Sequence, residues 1–349
     1  MATEPVRFDV ATAPHTPPKP AVPVIMRRVL YALAPAAACH VWFFGYGLPI
    51  NFAIAALACL FAEAGMLRLR GRPTRDALGD GSALVTAALL AFSMPPLVPG
   101  WIPAVGGAAA IVLGKQLYGG LGRNFFNPAM VGYVILLLSF PVEMTQWVPP
   151  RMGDIDYVQL GFLAQLIYSL TGALPPDIGL DALTRATPLD LVKEGIRAGR
   201  NFSDIRANSL FGDFGGRGSE WVGNFLILGG LYMIYTGIIR WHIPVAVLAG
   251  LMLPATLLFA VDAGRFAAPG FHLFSGATLL GAFFIATDPV SAAATVRGRM
   301  IYGGGIGLMT YVIRTWGGYP DAIAFAVLLM NGAVPLIDRF TRPRVFGDG

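Results

Sequence analysis

The sequence predicts an all-α polytopic membrane protein with about ten transmembrane helices, arranged as two inverted five-helix repeats with short or broken helices. Three observations lead to this fold class. Of the 349 residues, 55% are apolar and only 13% are charged, and the mean hydropathy is +0.63. Apolar runs of roughly 20 residues, long enough to cross the hydrocarbon core as a helix, recur along the chain without the alternation of barrel strands. The 43 glycines and 27 prolines indicate close helix packing and helix breaks.

Ten apolar stretches are candidate spans. They cover about residues 28–48, 52–67, 82–95, 101–117, 127–145, 221–239, 243–261, 273–293, 300–315 and 320–338. Ten spans place both termini on one side of the membrane. If that side is the cytoplasm, 14 basic residues lie at cytoplasmic helix ends and only two, Arg265 and Arg314, lie in short outer loops. The positive-inside rule therefore predicts cytoplasmic termini.

This layout divides the chain into five parts. They are a cytoplasmic N-terminal tail (1–25), a first five-helix repeat (26–145), an extracytoplasmic loop (146–220), a second five-helix repeat (221–340) and a cytoplasmic C-terminal tail (341–349). The two cysteines, Cys39 and Cys59, have no neighbouring Cys or His in a metal-binding pattern, so we expect no metal site. Membrane lipid is an expected partner and nucleic acid is not.

The two halves resemble each other in sequence. GSALVTAALLAFSMP (residues 81–95) aligns with SGATLLGAFFIATDP (275–289), and Tyr118-Gly119-Gly120 corresponds to Tyr302-Gly303-Gly304. Because each half has an odd number of spans, the second runs through the membrane upside down relative to the first, as in inverted-repeat transporters. The runs that end at Pro95 and Pro289 are about 14 residues long, roughly 21 Å as helix. We expect half-helices that line a cavity.

Two stretches carry an Ala-Thr pair that is a candidate for chemistry. Thr278 lies in a small-residue run of the repeated helix, where packing and hydroxyl bonds to helical carbonyls explain it. Thr187 lies in DALTRATPLD (residues 181–190), in the long outer loop, with Asp181 three residues before Thr184. Because a modifying enzyme needs backbone that it can reach, the loop favours Thr187.

On these stretches the sequence resembles the RnfD/NqrB family, the membrane flavoprotein subunits of the Rnf complex and of the sodium-translocating NADH:quinone reductase. The matching stretches are DALTRAT (181–187), YGGLGRNFFNPAM (118–130) and SGATLLGAFFIATDPVSA (275–292). Together with the span layout, the resemblance covers about residues 25–340.

The resemblance implies that Thr187 holds FMN through a phosphoester bond, installed outside the cytoplasm by a flavin transferase. Asp181, Thr184 and Ala186 match the other positions of the family's D-x-x-S/T-x-A-T attachment motif. Arg185 stands where the NqrB type has glycine, and NqrB-like chains usually carry a longer N-terminal extension. Both departures favour the RnfD type.

A second flavin site is implied beside the fifth span. Asn124 and Asn127, next to two phenylalanines, offer hydrogen bonds and an aromatic wall, and members of the family also hold a non-covalent riboflavin in the membrane. The alternative for Asn127 is structural, because an Asn before Pro128 is a typical helix N-cap.

Two acids at membrane depth, Asp288 and Glu63, are candidates for an ion pathway. For Asp288 the alternative is a cap on the segment that begins at Pro289. For Glu63 it is an ion pair with Arg68 near the interface.

The resemblance implies an electron-transfer subunit that passes electrons across the bacterial inner membrane between the covalent FMN and the inner flavin, coupled to Na⁺ or H⁺ translocation. The whole complex would be a ferredoxin:NAD oxidoreductase, and this chain would not be catalytic alone. Because it has no Gly-rich dinucleotide fold and no cluster cysteines, NADH and ferredoxin would be handled by partners, including iron-sulfur subunits and a second covalent-FMN subunit. The alternatives are the NqrB subunit, a channel or secondary transporter of inverted-repeat type without redox role, and, more distantly, a membrane hydrolase.

Overall fold

The structure, a computed structural model, describes residues 21–152 and 158–342, and within them the regular secondary structure is helical. Two π-helical segments, Ala110–Gln116 and Gly281–Ile285, continue α5 and α15 directly. The helices are α1 (Val22–Phe44), α2 (Gly47–Leu69), α3 (Thr74–Leu78), α4 (Ser82–Ser93), α5 (Trp101–Ala109), α6 (Pro128–Ser139), α7 (Pro141–Thr145), α8 (Phe162–Thr171), α9 (Leu180–Leu183), α10 (Pro188–Arg197), α11 (Phe202–Arg206), α12 (Ser219–Tyr235), α13 (His242–Val261), α14 (Pro269–Phe274), α15 (Thr278–Leu280), α16 (Val296–Trp316) and α17 (Ile323–Thr341).

The all-α, polytopic fold class is confirmed, and each of the ten predicted spans contains a helix. Four helices, α1, α2, α13 and α17, are long and apolar enough to cross a membrane. Several boundaries differ from the prediction. Helix α1 begins at Val22, inside the predicted tail, and the span predicted at 127–145 is divided where Pro141 starts a new helix. The five-part division itself stays a prediction, and its tails lie mostly outside the described residues.

The two halves repeat one packing pattern. In the first half α2 packs on α5 and α5 on α6, and in the second α13 packs on α16 and α16 on α17. Corresponding helices also meet between the halves, where α1 packs against α12 and α6 against α17. With five segments per half, an odd number, this is the arrangement of an inverted repeat.

Each half contains five membrane segments, and the third of them, α4 in the first half and α15 with its π segment in the second, is a broken helix. The short repeated runs predict these breaks. Gly81 precedes α4 with φ 79°, and Gly276 precedes α15 with φ 61°, a left-handed conformation that glycine adopts readily. Helix α4 ends at Ser93, and the next helix begins only at Trp101. In the second half the π segment ends at Ile285, and α16 begins only at Val296.

Buried side-chain amides bind the carbonyls that these breaks leave without helical partners. Asn51 Nδ2 donates to Pro95 O at 3.1 Å, and Asn127 Nδ2 donates to Ile285 O at 3.2 Å. Asn331 Nδ2 donates to Ser291 O at 3.1 Å. Irregular backbone is tolerated within a membrane bundle only where such partners replace the missing hydrogen bonds.

Glycine allows α13 and α16 to pack backbone against backbone. A Cβ atom at Gly307 would lie 2.1 Å from Val247 O, and one at Gly250 would lie 2.3 Å from Gly304 O. Small residues at helix contacts maximise dispersion attraction where lipid gives no hydrophobic driving force. The scaffold of the second half depends on this contact.

We expect Gly307→Ala to destabilise the protein by about 1–3 kcal/mol, because a methyl group there overlaps the backbone of α13. Gly304→Ala is the matched control: it lies on the same helix, and a Cβ there meets nothing within 4 Å. Thermal unfolding in detergent measures both. Equal melting temperatures for the two variants would contradict the proposed contact.

Candidate functional site

Residues 146–152 and 158–218 cover one end of the helix bundle, which we call the loop face. Backbone hydrogen bonds attach this segment to both halves: Arg151 N donates to Phe43 O at 2.7 Å, and Phe202 N donates to Gly264 O at 2.8 Å. A small apolar core that includes Leu189 and Phe271 joins α10 and α11 to α14. The loop face is therefore a packed layer on the bundle.

Thr187 is the N-cap of α10. Its backbone is extended, with φ −72° and ψ 161°, and Pro188 occupies the first helical position. Its hydroxyl oxygen accepts from Asp190 N at 3.2 Å and donates to Asp190 Oδ2 at 2.6 Å, while Thr187 N donates to the same carboxylate at 3.0 Å. This reciprocal capping box fixes the side chain at the helix N-terminus, close to the bundle.

The other residues of the predicted attachment motif lie just upstream, in and after α9. Asp181 is exposed in the first turn of α9, and Thr184 donates its hydroxyl to Leu180 O at 3.1 Å. Arg185 N donates to Trp147 O at 2.8 Å, which pins an extended segment, and Ala186 is exposed. The motif thus presents reachable extended backbone that leads into the cap of α10.

A cavity of about 180 Å³ lies between the loop face and the two halves, and Ala186 and Thr187 line it. Its walls come from α1, α4 and α6 of the first half and from α12 and α15 of the second. Asp181 and Thr184 do not line it.

Among the described residues, two buried polar atoms of side chains that line this cavity have no hydrogen-bond partner. They are Nδ1 of His40, a residue that is 7% exposed, and Oγ of Ser275, which is 2% exposed. An unsatisfied buried polar atom costs about 1–3 kcal/mol, and both of these atoms are enclosed by protein. Sequence reasoning gave neither residue a role, although Ser275 begins the repeated run SGATLLGAFFIATDP.

Thr278, the other threonine considered, is fully buried. Its hydroxyl donates to His272 O at 2.9 Å and to Ser275 O at 3.1 Å. These bonds close the break before α15, as the packing interpretation predicts.

Asn124, Asn127 and Asp288 come together at the contact between the halves. Asn127 caps α6 by accepting from Met130 N at 3.3 Å, and its backbone N–H donates to Asn331 Oδ1 at 3.1 Å. Asn124 Nδ2 donates to Phe126 O at 3.0 Å, and its Oδ1 has no partner. Asp288 accepts from Ser291 Oγ at 2.9 Å and contacts the Asn124 amide.

Glu63 does not pair with Arg68. It is fully buried in α2, and its Oε1 lies 2.5 Å from Lys115 Nζ, an ion pair whose side chains are only 1–2% exposed. Lys115 also donates to Ser82 Oγ at 2.6 Å, and that hydroxyl donates to Asp80 at 2.5 Å. The pair therefore ties α2 to the start of the broken helix α4.

Arg314 does not lie in a short outer loop, where the count of basic residues placed it, but is buried in α16. It lies 3.0 Å from Asp321 Oδ1 and donates to His272 O at 2.9 Å and Ser275 O at 3.0 Å. Asp321 also accepts from Ala277 N at 2.8 Å. Arg314 thus binds the backbone at the break before α15, as Lys115 binds the Ser82 hydroxyl at the start of α4. Nothing in the sequence indicated this role.

The loop between α16 and α17 also holds α10. Lys193 Nζ donates to Tyr319 O at 2.6 Å, and Arg197 donates to Gly317 O at 3.1 Å. Partial burial, assisted by the Arg197 charge, lowers the pKa of Lys193 from 10.5 to about 8. The helix capped by Thr187 is thus fixed to the second half.

Comparison with known sequences identifies the family. A model of the NQR2, RnfD, RnfE family matches residues 9–347. The chain belongs to this family. The match spans almost the whole chain and confirms the resemblance carried by the three motifs. The protein is accordingly a multi-pass membrane protein.

Relatives of this family member share nearly half of its residues. A protein of Aeromonas hydrophila is 49% identical over 345 residues, covering 97% of this chain and 99% of the relative. One of Vibrio cholerae is 47% identical over 348 residues, covering 97% and 99%. One of Escherichia coli is 46% identical over 346 residues, covering 97% and 98%. All three are named as the same subunit of an ion-translocating oxidoreductase complex.

Removing one member of the buried ion pair is expected to destabilise this family member strongly. Lys115→Met leaves Glu63 without its cation in an apolar bundle, which costs about 3–5 kcal/mol. The double variant Glu63→Gln/Lys115→Met removes both charges and is expected to recover much of that loss. Thermal unfolding in detergent compares them; a double variant no more stable than Lys115→Met would contradict the ion-pair interpretation.

Lys193 is expected to react with amine-specific reagents at unusually low pH. Because only the neutral amine reacts, labelling should rise with a midpoint near pH 8, well below the ordinary lysine pKa of about 10.4. Mass spectrometry of the labelled peptide gives the titration, and Lys193→Arg provides the blank. A midpoint near the ordinary value would mean that the amine is not desolvated on α10.

Proposed function

We propose that the chain is the membrane flavoprotein subunit of an Rnf-type ferredoxin:NAD oxidoreductase. In this role it passes electrons across the membrane between an FMN bound covalently to Thr187 and an inner flavin, coupled to Na⁺ or H⁺ translocation. The names of its relatives support the Rnf assignment over the NqrB alternative. They also favour a redox complex over a channel or secondary transporter.

One observation carries the proposal for Thr187: its hydroxyl lies on reachable backbone and lines the cavity between the two halves. The position suits a phosphoester, because helix N-termini favour negative charge and Asp190 N already points at the Thr187 oxygen. Esterification removes the proton that Thr187 now donates to Asp190, so that carboxylate has to turn away from the site.

FMN at this position would supply one- and two-electron chemistry, which links iron-sulfur centres to two-electron carriers. The role of the chain itself is to position the flavin. The Lys193 contact to Tyr319 O holds α10, and with it the attachment point, beside the bundle, and the cavity next to it has mostly apolar walls.

The inner flavin is proposed to be a riboflavin near Asn124 and Asn127. Asn127 is occupied by its cap and by Ile285 O, so Asn124, with a free Oδ1, is the better-placed contact. Asp288 and Glu63 remain the proposed ion-pathway acids. Glu63 keeps one buried oxygen, Oε2, without a partner.

The proposed setting is the bacterial inner membrane with both termini in the cytoplasm and the loop face in the periplasm. The proposed partners are the other membrane and peripheral subunits of the complex, among them a second covalent-FMN subunit and iron-sulfur subunits. A flavin transferase would load Thr187 before the subunit functions.

In-gel fluorescence of the denatured chain tests the attachment. We expect a yellow-green fluorescent band from the wild-type protein, and its complete loss in Thr187→Ala because the ester cannot form. Thr278→Ala, which leaves the Thr187 hydroxyl and the rest of the predicted attachment motif in place, should keep the band. Fluorescence that persists in Thr187→Ala would refute the assignment.

A further inference from the structure

We propose that Arg240 and Arg299 together bind the phosphate group of an anionic phospholipid. The two arginines lie where α13 and α16 begin, at the end of the bundle opposite the loop face. This inference goes beyond the proposed function and does not depend on a flavin at Thr187.

Helices α13 and α16 begin side by side and run parallel. A Cβ atom at Gly303 would lie 2.8 Å from Ile243 O, and one at Gly307, a turn later, would lie 2.1 Å from Val247 O, a turn later on α13. Helix α13 ends just before Gly264, whose carbonyl accepts from the loop face. The starts of both helices are therefore at the opposite end of the bundle.

Two positive charges meet at these helix starts. Arg240 comes directly before Trp241, the N-cap of α13, and Arg299 lies in α16 one turn before the first contact with α13. The Arg240 charge acts on the Arg299 guanidinium. Because like charges held together repel each other, the pair favours a bound anion.

The protein supplies little negative charge to this pair. Asp338 is the acid whose charge reaches Arg299, but both of its carboxylate oxygens accept from Ala294 N, at 3.1 and 3.3 Å. In the part of the chain that the structure describes, no carboxylate lies within ion-pair distance of Arg240 or Arg299. The start of α13 also has no side-chain cap, so its first N–H groups add to the positive potential.

Arg299 is oriented for a ligand. Its Nε donates to Ala293 O at 3.1 Å, which fixes the plane of the guanidinium, and its Nη1 is enclosed without an acceptor. Nη2 is not enclosed in this way and has no acceptor among residues 21–152 and 158–342. A fixed guanidinium with a free Nη2 suits a phosphate oxygen, which forms short charge-assisted bonds with arginine.

The surface beside the arginine pair indicates a lipid as the source of the phosphate. Trp241 is 50% exposed and stacks on His242 with ring centroids 4.2 Å apart. Val245 on α13 and Ile301 on α16 are also exposed, further along the two helices. Tryptophan is enriched at membrane interfaces, and basic pockets between membrane helices bind anionic headgroups. A phospholipid matches both the charge and the apolar surface, whereas free phosphate or an acidic protein matches the charge alone.

The experiment titrates dioleoyl phosphatidylglycerol into the full-length chain in detergent, alone and within its purified complex. Native mass spectrometry counts bound lipid, and thermal unfolding of the isolated chain measures stabilisation. The variants are Arg240→Gln, Arg299→Gln and the two combined. The charge-matched control is Arg68→Gln/Arg70→Gln, which removes two exposed arginines at the end of α2. Dioleoyl phosphatidylcholine and inorganic phosphate are the comparison probes.

We expect phosphatidylglycerol to bind the wild type more tightly than phosphatidylcholine and to raise its melting temperature. Its affinity should fall by about fivefold for each arginine of the pair that is removed. The Arg68→Gln/Arg70→Gln control should bind like the wild type. Arg240→Gln keeps the test independent of folding, because the Arg240 side chain makes no hydrogen bond to the described residues.

Equal phosphatidylglycerol affinity in Arg240→Gln and the wild type would overturn the proposal. Equal binding of the two lipids, or equal stabilisation by inorganic phosphate, would overturn the assignment to an anionic lipid. Binding to the isolated chain but not to the complex would mean that a partner protein covers the arginine pair, and it too would overturn the lipid assignment. None of these results affects the proposed attachment at Thr187.

Discussion

The bundle depends on two buried cations that close the breaks in its third segments. Lys115 and Arg314 lie in the fourth segment of their respective halves, each against a carboxylate and against the groups at the break. A charge removed from water costs several kcal/mol, so it persists only when its partners are all in place. The two cations therefore fix where each broken helix begins. Ser275, Gly276 and Ala277, at the second break, line the cavity beside Thr187, whereas α4 contributes Phe92 and Ser93 from its far end.

Most of the fold could be predicted because its signals are local. Apolar run lengths locate the ten segments, and the proline that follows Asn127 identifies its cap. Repeated short runs ending at Pro95 and Pro289 predict broken helices. The boundaries were less accurate, because apolar residues continue through non-helical backbone: in the span predicted at 273–293, the broken helix itself covers only Thr278–Ile285, from α15 through the π segment.

The contacts of the buried charged residues could not be predicted, because most of them join residues that are far apart in the sequence. Sequence gives the charge of Glu63 and Lys115 but not their meeting, since 52 residues separate them, and nearby Arg68 was the natural partner to expect. Arg314 was counted among the outer-loop charges because it lies at the end of the predicted span 300–315, and its partner Asp321 lies beyond that span. The proposed attachment motif around Thr187 is contiguous, so its resemblance to the family's motif is visible in the sequence, whereas the cavity is assembled from distant helices and had no sequence signature.

The attachment of α10 to the loop between α16 and α17 has a consequence for the order of biosynthesis. Lys193 and Tyr319 are 126 residues apart, and Arg197 and Gly317 are 120 apart. These contacts cannot form until nearly the whole chain has been made and inserted, since domains assemble as their later elements emerge. The cavity is thus one of the last parts to close, and throughout synthesis of the second half the segment around Thr187 is held only by its local contacts and those to the first half.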